Sequence, residues 1–427
     1  MINNIPLSQQ DEAVAVLIAA EEVRQQNGLE LIPSENYASV AVREALSSVF
    51  TNKYSEGYPG RRYYGGQENT DRLEQLAIDR AKQLFHADHA NVQPHSGASA
   101  NEAVYFAWLE PGDTVLAMDL SHGGHLTHGA PVTRSAQLYN FVRYKMKDID
   151  TGEIDYDNLR HLALEHRPKI ILAGFSAYPG TLDYDKFAVI GHEVGALLVA
   201  DVAHIAGLIA GGVAENPLDH GFHVLTSTTH KSLRGPRGGL ILSKGIVSNP
   251  LSAPEKTLEN IPTLIDRAVF PGTQGGPHMN VIVAKAVAFH EALQPEFKEY
   301  ASQVVKNAKA LAEALKARGF HLVTGGTTNH LILIDVQKSF GIDGKVAEQA
   351  LDKIGLTLNA NSVPDDPLPP FRPSGIRLGT PALTTRGLKE AHIEPLAQLM
   401  LEAIQQSDDE VVLATLWRRL RDLLASL

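Results

Sequence analysis

Two apolar runs in this chain stop at residues able to do acid–base and covalent chemistry. The run Ala196–Ala200 ends at Asp201, followed by Val202-Ala203-His204. A later run passes into Thr226-Ser227-Thr228-Thr229-His230-Lys231-Ser232, then Gly235-Pro236-Arg237-Gly238-Gly239. A carboxylate buried at a strand end needs a cation or hydrogen-bond donors. A lysine after small hydroxyl residues and before a glycine loop is not a helix-face lysine. Asp201 and Lys231 are 30 positions apart, which matches the roughly 30 residues of one strand–helix–strand crossover. Both can therefore face one pocket. A carboxylate set against a pyridinium nitrogen, with a lysine for the carbonyl carbon, is the pair that pyridoxal phosphate requires. A structural Asp with a solvated Lys is the competing reading.

Other segments add ligand-binding potential. Asn91–Gln93 leads into Pro94-His95-Ser96-Gly97-Ala98-Ser99-Ala100-Asn101, a small-residue loop opening an apolar helix. Free N–H groups at such a helix start seat phosphate, or Ser96 is simply a cap. The loop matches neither GxGxxG nor GxxxxGK[ST], so nucleotide cofactors are not favoured. His122, His125 and His128 recur every three residues, but Gly123-Gly124 interrupt a helix there and no carboxylate follows at ligand spacing. His192-Glu193 begins an HExxH pattern that fails at Ala196. No metal is expected. The run Lys53–Gly66 holds Tyr54, Glu56, Tyr58, Arg61, Arg62, Tyr63 and Tyr64 without an apolar period. It suits a polar ligand, with Glu56 as an acid/base group, or a subunit contact. Val269–Pro277 is a second non-periodic glycine loop, an anion site or a linker. Arg377, inside Ser374–Thr380, suits a substrate carboxylate or a structural ion pair.

Certain elements must position these groups. Candidate strands are Asn91–Gln93, Thr114–Ala117, Ile170–Phe175, Ala196–Ala200, Val224–Thr226 and Gly239–Leu242. Helical patterns such as Thr70–Phe85 and Ala98–Leu109 alternate with them, which implies a parallel sheet covered on both faces. The pattern predicts helices over 8–27, a long one over Asn280–Leu315, then Lys345–Ile354, Thr385–Gln406 and 410–425, with a strand at Leu331–Val336. The expected division is an N-terminal arm (1–30), a large α/β domain (31–280) and a smaller α+β domain (281–427).

Composition narrows the classes. The 427 residues and 44% hydrophobic content give ample core. There is no cysteine, which removes thiolate nucleophiles, disulfides and cysteine-ligated metals. A net charge of −11 argues against a nucleic-acid footprint. Gly195 to Ala214 has the length of a bilayer span, but Asp201, His204 and three glycines break it, so no membrane segment is expected. The first residues show no secretory signal, and a cytoplasmic protein is expected.

Together these segments resemble serine hydroxymethyltransferase, a fold-type I pyridoxal-phosphate family. The resemblance rests on LIPSENY, TNKYSEGYPGRRYYGG, NVQPHSGASAN, HGGHLTHG, TTHKSLRGPRGG, VFPGTQGGP and SGIRLGTPA, in family order from about Leu31 to Thr380. It implies an α/β fold with a large, mostly parallel sheet of the seven-stranded type and a smaller C-terminal domain. It implies transfer of the hydroxymethyl unit of L-serine to tetrahydrofolate, giving glycine, by a homodimer with shared active sites. Lys231 would carry the cofactor covalently, with His230 beside it and Thr228 among the catalytic residues. Asp201 would pair with the ring nitrogen and His125 would stack on the ring. Ser176 and His204 would meet the ring oxygen. Ser96, Gly97 and Ala98 would seat the phosphate, with Gly272 and Thr273 arriving from the second subunit. Arg377 would bind the substrate carboxylate, helped by Ser34, and Arg237 would support the site. Tyr54, Glu56 and Tyr64 would act near the substrate hydroxyl, Tyr54 and Glu56 from the partner. Leu120, Gly124, His125, Leu126, Asn361 and Phe371 would line the folate site. Ala98, Thr273, Pro179, Arg234 and Pro369-Pro370 depart from the usual family pattern. An aldolase or an α-methylserine hydroxymethyltransferase on the same scaffold is the alternative reading.

Overall fold

The structure, a computed structural model, describes residues 5–245 and 260–427. Its centre is a seven-stranded sheet: β1 (His89–Asn91), β2 (Thr114–Met118), β3 (Asn140–Tyr144), β4 (Ile170–Gly174), β5 (Leu197–Asp201), β6 (Val224–Thr228) and β7 (Gly239–Ser243), in the order β1-β7-β6-β5-β4-β2-β3. All pairings are parallel except those of β7, which runs against both neighbours. Each strand alternates between two apolar cores, as a two-residue period demands. Leu116, Ile171, Leu198 and Leu225 face one core. Val115, Ile170, Leu197 and Val224 face the other. Burial on both faces explains why these strands read as unbroken apolar runs.

Helices cover both faces. The longer ones are α1 (Glu12–Asn27), α2 (Glu68–Phe85), α3 (Gly97–Trp108), α4 (Tyr156–His166), α5 (Tyr184–Val194), the short α6 (Ala206–Ala210), α7 (Met279–Ala292), α8 (Pro295–Lys316), α9 (Gly344–Lys353), α10 (Ile393–Gln405) and α11 (Glu410–Ala425). A second, antiparallel sheet has the order β8-β9-β11-β10, from His321–Leu322 (β8), Leu331–Asp335 (β9), Asn359–Asn361 (β10) and Gly375–Gly379 (β11). It shares a core with α9, α10 and α11 and with Leu29 and Leu31. Helix α8 belongs to both cores, through Phe297, Tyr300 and Val304 at one end and Leu311 and Leu315 at the other.

The elements differ from the sequence reading in instructive ways. β3 was not expected. It is an edge strand with one hydrogen-bonded neighbour, so its Asn140 and Arg143 stay accessible and dilute the apolar signal. The long helix over 280–315 is two helices, because Pro295 starts a new one at its first turn. The N-terminal helix is likewise interrupted: Asp11 accepts the Val14 N–H and caps α1. The helix expected from Thr385 begins at Ile393, after Gly387 turns the chain with φ +97°. The 195–214 segment is β5, a turn and α6, and no helix among the described residues is long and apolar enough to cross a membrane.

Helix α6 is locked beneath the turn that carries Lys231. The Gly207 N–H donates to Ser232 Oγ at 3.0 Å, and that hydroxyl donates to the His204 carbonyl at 2.7 Å. A Cβ on Gly207 would stand 2.1 Å from the Ser232 carbonyl oxygen. Backbone on both sides leaves nothing cheap to move. Gly207→Ala is therefore expected to lower folding stability by about 1–3 kcal/mol, the usual cost of overpacking. Urea denaturation of variant and parent checks this, and equal midpoints would contradict the lock.

Candidate active site

Parallel sheets gather functional groups at the carboxyl ends of their strands. Here β4, β5 and β6 end on Gly174, Asp201 and Thr228 beside one another. Beyond these ends lies a cavity of about 470 Å³. Ser34, Ser96, Gly97, Ala98, His125, Ser176, Asp201, His204, Thr228, His230, Lys231, Arg237 and Arg377 all line it. Nearly every residue expected at the cofactor thus shares one space, including Arg377 from the second sheet.

Asp201 is the anion at the base of this cavity. Its Oδ2 accepts from Asn101 Nδ2 at 2.9 Å and meets His128 Nε2 at 3.0 Å, while Oδ1 accepts the Ala203 N–H at 3.1 Å. The His125 N–H donates to His128 Nδ1, so a neutral His128 keeps its proton on Nε2 and aims it at Asp201. Burial pushes the Asp201 carboxyl up, but the hydrogen bond from His128, with that from Asn101, outweighs it and holds the group well below the usual carboxylate range. Asp201 is an anion at any working pH.

Asn101 and His128 were not foreseen in this role. His125, His128 and Asp201 bring ligand-type atoms within 4.8 Å of one another, but hydrogen bonds already engage each of them. His122 lies apart from the other two histidines, against Asp365 and the Met146 N–H. His125 is pushed down to about 4 by burial, only partly opposed by Asp201. Its Nδ1 accepts the Thr127 N–H, which leaves a flat, uncharged ring at the cavity wall.

Lys231 is 8% exposed. Burial pushes its amine down to about 8, Asp201 pulls it up, and Arg377 and Arg237 push it down again. A lysine so placed has an appreciable neutral fraction near neutrality, which attack on a carbonyl carbon requires. His230, next in the chain, is driven down to about 3 by burial and the nearby cations, and its Nδ1 is buried with no partner among the described residues. Arg234, the unusual charge of this turn, is directed away: its guanidinium lies 4.4 Å from the Tyr300 ring centroid.

Among the described residues Arg377 forms no ion pair, which was one of the two readings its sequence left open. Its Nη1 donates to the Ser176 carbonyl at 2.6 Å and to Ser176 Oγ at 3.1 Å, and Nε donates to Asn359 Oδ1 at 3.2 Å. No carboxylate pairs with it among the described residues, and burial alone pushes it down to about 10. It is a half-buried cation with no anion beside it among the described residues. Ser96 caps α3 reciprocally with Ser99, their N–H groups donating to each other's hydroxyls at 2.8 and 3.2 Å. A Cβ on Gly97 would stand 2.7 Å from Thr228 Cγ2, so the backbone there is pressed against the floor of the cavity.

Other expected residues stand elsewhere within the single chain. Tyr54 and Tyr64 donate to Glu56 at 3.2 and 3.5 Å, forming an exposed cluster away from the cavity walls. Gly275 and Gly276 adjoin it, Gly272 packs on Phe106, and Thr273 bonds the Ala268 carbonyl. Gly124 packs on the Met118 carbonyl and Leu120 sits in the same turn. Leu126 and Phe371 are largely exposed, and Asn361 ends the edge strand β10. His204 meets His330 Nε2 at 3.3 Å with stacked rings, a neighbour that sequence reading missed.

Comparison with known proteins agrees with this geometry. The serine hydroxymethyltransferase family model matches residues 7–400. The serine hydroxymethyltransferase 1 of Pseudomonas aeruginosa is 55% identical over 408 residues, 95% of this chain and 94% of that one. The chain belongs to the serine hydroxymethyltransferase family. The family is of fold type I, depends on pyridoxal phosphate and takes tetrahydrofolate as co-substrate. The residues present fit that cofactor: a fixed anion for a ring nitrogen, a neutral His125 for the ring face, an amine for the carbonyl carbon and a helix start for the phosphate.

The lowered Lys231 pKa has a direct consequence. The amine is neutral above its pKa, so capture of pyridoxal by cofactor-free protein should rise with pH to a midpoint near 8. In Asp201→Asn the midpoint should move lower, because the carboxylate that raises it is gone. Borohydride trapping across pH measures both. A midpoint near the ordinary 10.5 would contradict the assignment.

Proposed function

We propose that this enzyme transfers the hydroxymethyl carbon of L-serine to tetrahydrofolate, giving glycine and 5,10-methylenetetrahydrofolate, with pyridoxal phosphate carried covalently on Lys231. One observation carries this reading. Half-buried Arg377, without a carboxylate partner among the described residues, shares a cavity with Lys231 and Asp201. An α-amino acid needs this set: a cation for its carboxylate and a cofactor site for its amine.

Pyridoxal phosphate, when bound, supplies an electron sink for the bond broken at the substrate α-carbon. The chain does the rest. Arg377 and Ser34 hold the substrate carboxylate and so fix which bond lies across the ring face. Asp201 keeps a proton on the ring nitrogen, and His128 and Asn101 keep Asp201 an anion. His125 would offer its uncharged ring face to the cofactor ring. The N–H groups at Gly97 and Ala98 and the Ser96 hydroxyl hold the phosphate. Thr228 and His230 shape the floor around Lys231, and His204 and Ser176 border the ring oxygen.

Glu56, gripped by Tyr54 and Tyr64, moves the proton on the substrate hydroxyl or the incoming folate nitrogen. Its cluster is exposed in the single chain and absent from that chain's own cavity walls. We therefore read the enzyme as a cytoplasmic homodimer whose subunits exchange Tyr54, Glu56, Gly272 and Thr273. The folate contacts at Leu120, Gly124, Leu126, Asn361 and Phe371 belong to the same reading.

Four outcomes test it. Lys231→Ala should abolish turnover and the borohydride-reducible absorbance band. Arg377→Met should raise KM for serine about 100-fold or more, the scale of a lost buried charge pair, and serine cleavage should depend strictly on tetrahydrofolate; folate-independent cleavage would favour an aldolase. Mixing Lys231→Ala with Glu56→Gln subunits, each inactive alone, should restore about a quarter of wild-type activity, since half of a random mixture is hybrid and each hybrid has one intact site. No recovery would overturn the shared site.

A further inference from the structure

Lys285 lies in the middle of α7, in the otherwise apolar stretch Val281-Ile282-Val283-Ala284-Lys285-Ala286-Val287-Ala288. It is 1% exposed. Its Nζ donates to three backbone carbonyls: Val92 at 2.6 Å, Gly239 at 2.7 Å and Pro94 at 3.1 Å. An ammonium has three N–H donors, and all are spent. The acidic group that acts on it from farther off, Glu74, is engaged by Arg62 and by Gln93 at 2.7 Å. Burial pushes the amine down to about 7, so holding a cation here is costly and the carbonyls must repay it.

The three carbonyls belong to two segments that meet under the active site. Val92 and Pro94 lie between β1 and Ser96, on the approach to the start of α3. Gly239 opens β7, just after the loop carrying Lys231 and Arg237. The Gly239 N–H also donates to the Pro94 carbonyl at 2.9 Å. A Cβ on Gly238 would stand 2.5 Å from Lys285 Cε, and one on Gly239 would stand 2.2 Å from the Ser96 carbonyl oxygen. The glycine pair is the room this ammonium and this crossing need. Lys285 itself does not line the cavity.

We propose that Lys285 is a positioning residue for the phosphate seat, its ammonium pinning the Val92–Pro94 approach to the Gly239 strand so that the N–H groups at Gly97 and Ala98 point at one spot. This rests on the cofactor reading above. Backbone N–H donors lose strength steeply with small errors of distance and angle, so the effect falls on the phosphate end of the ligand.

The experiment titrates cofactor-free protein with pyridoxal phosphate and, separately, with pyridoxal, which has the aldehyde but no phosphate. In Lys285→Met the affinity for pyridoxal phosphate should fall about tenfold or more, the scale of one lost charged contact, while pyridoxal binding changes less than about twofold. In Lys285→Ala, added methylammonium should restore part of the pyridoxal phosphate affinity by filling the vacated ammonium position. Unchanged affinity for both ligands, or an equal fall for both, would overturn the proposal. Lys285→Gln, which keeps two donors without the charge, is the second variant should Lys285→Met not fold; failure of both to fold would assign Lys285 a general structural role and also overturn it. Wild-type protein that binds no pyridoxal phosphate would instead overturn the cofactor reading.

Discussion

A carboxylate buried at the end of a strand is the interaction to which the rest of this site answers. Asp201 cannot sit in an apolar sheet without donors, and three separate segments supply them: α3 through Asn101, the histidine loop through His128, and the turn after β5 through the Ala203 N–H. Bringing those segments together also brings the start of α3 and the ring of His125 to the same cavity. The polar partners of one buried charge therefore assemble most of the cofactor pocket before any ligand arrives. Lys231 and Arg377 then face a space whose acidic wall residues, among those described, are Asp201 and the exposed Glu35. A chain with net charge −11 still presents a local cationic pocket, because Arg237, Arg377, Lys231 and the helix start all converge there while the acidic surplus lies elsewhere.

Much of this arrangement was legible in sequence, for physical reasons. Strands buried on both faces read as apolar runs, and the residues that end such runs in a parallel sheet share one side of it. That allowed Asp201 and Lys231 to face one pocket, with a structural Asp and a solvated Lys as the competing reading. The small-residue start of α3 was legible because glycine and serine before an apolar helix leave backbone donors free. Arg377 was not decided by its own neighbourhood in sequence. Only the absence of a nearby carboxylate among the described residues separates a substrate-binding arginine from half of an ion pair.

What remained hidden was mostly second in line from the ligand. Asn101 and Lys285 each interrupt an apolar helix with a single polar side chain on a buried face. Such a residue must find partners, and its isolation was the available signal, but its partners lie far off in sequence: Asp201 and Thr226 for Asn101, Val92 and Gly239 for Lys285. His128 was visible as one of three histidines, yet its task depends on which ring nitrogen faces the carboxylate, a matter of tertiary contact. β3 escaped because an edge strand keeps polar residues. The break between α7 and α8 was readable at Pro295, whose missing N–H costs nothing at a helix start.

The cavity lies at the seam between the two sheets, and this position shapes how binding works. Polar contacts cross the seam at the site, among them Arg377 with Ser176 and His204 with His330. Arg377 ties the sheets together through Nη1, and under the proposed function its remaining donors meet a substrate carboxylate. Nη1 already contacts the Ser176 carbonyl and hydroxyl, so an incoming carboxylate is best met by the donors that are left rather than by breaking the seam. Helix α8 braces the same seam from behind, with Phe297, Tyr300 and Val304 in the large core and Leu311 and Leu315 in the small one. A continuous helix shared by two cores resists opening. The geometry therefore favours substrate binding into a largely formed pocket, with the guanidinium held in place by contacts that the substrate does not have to displace.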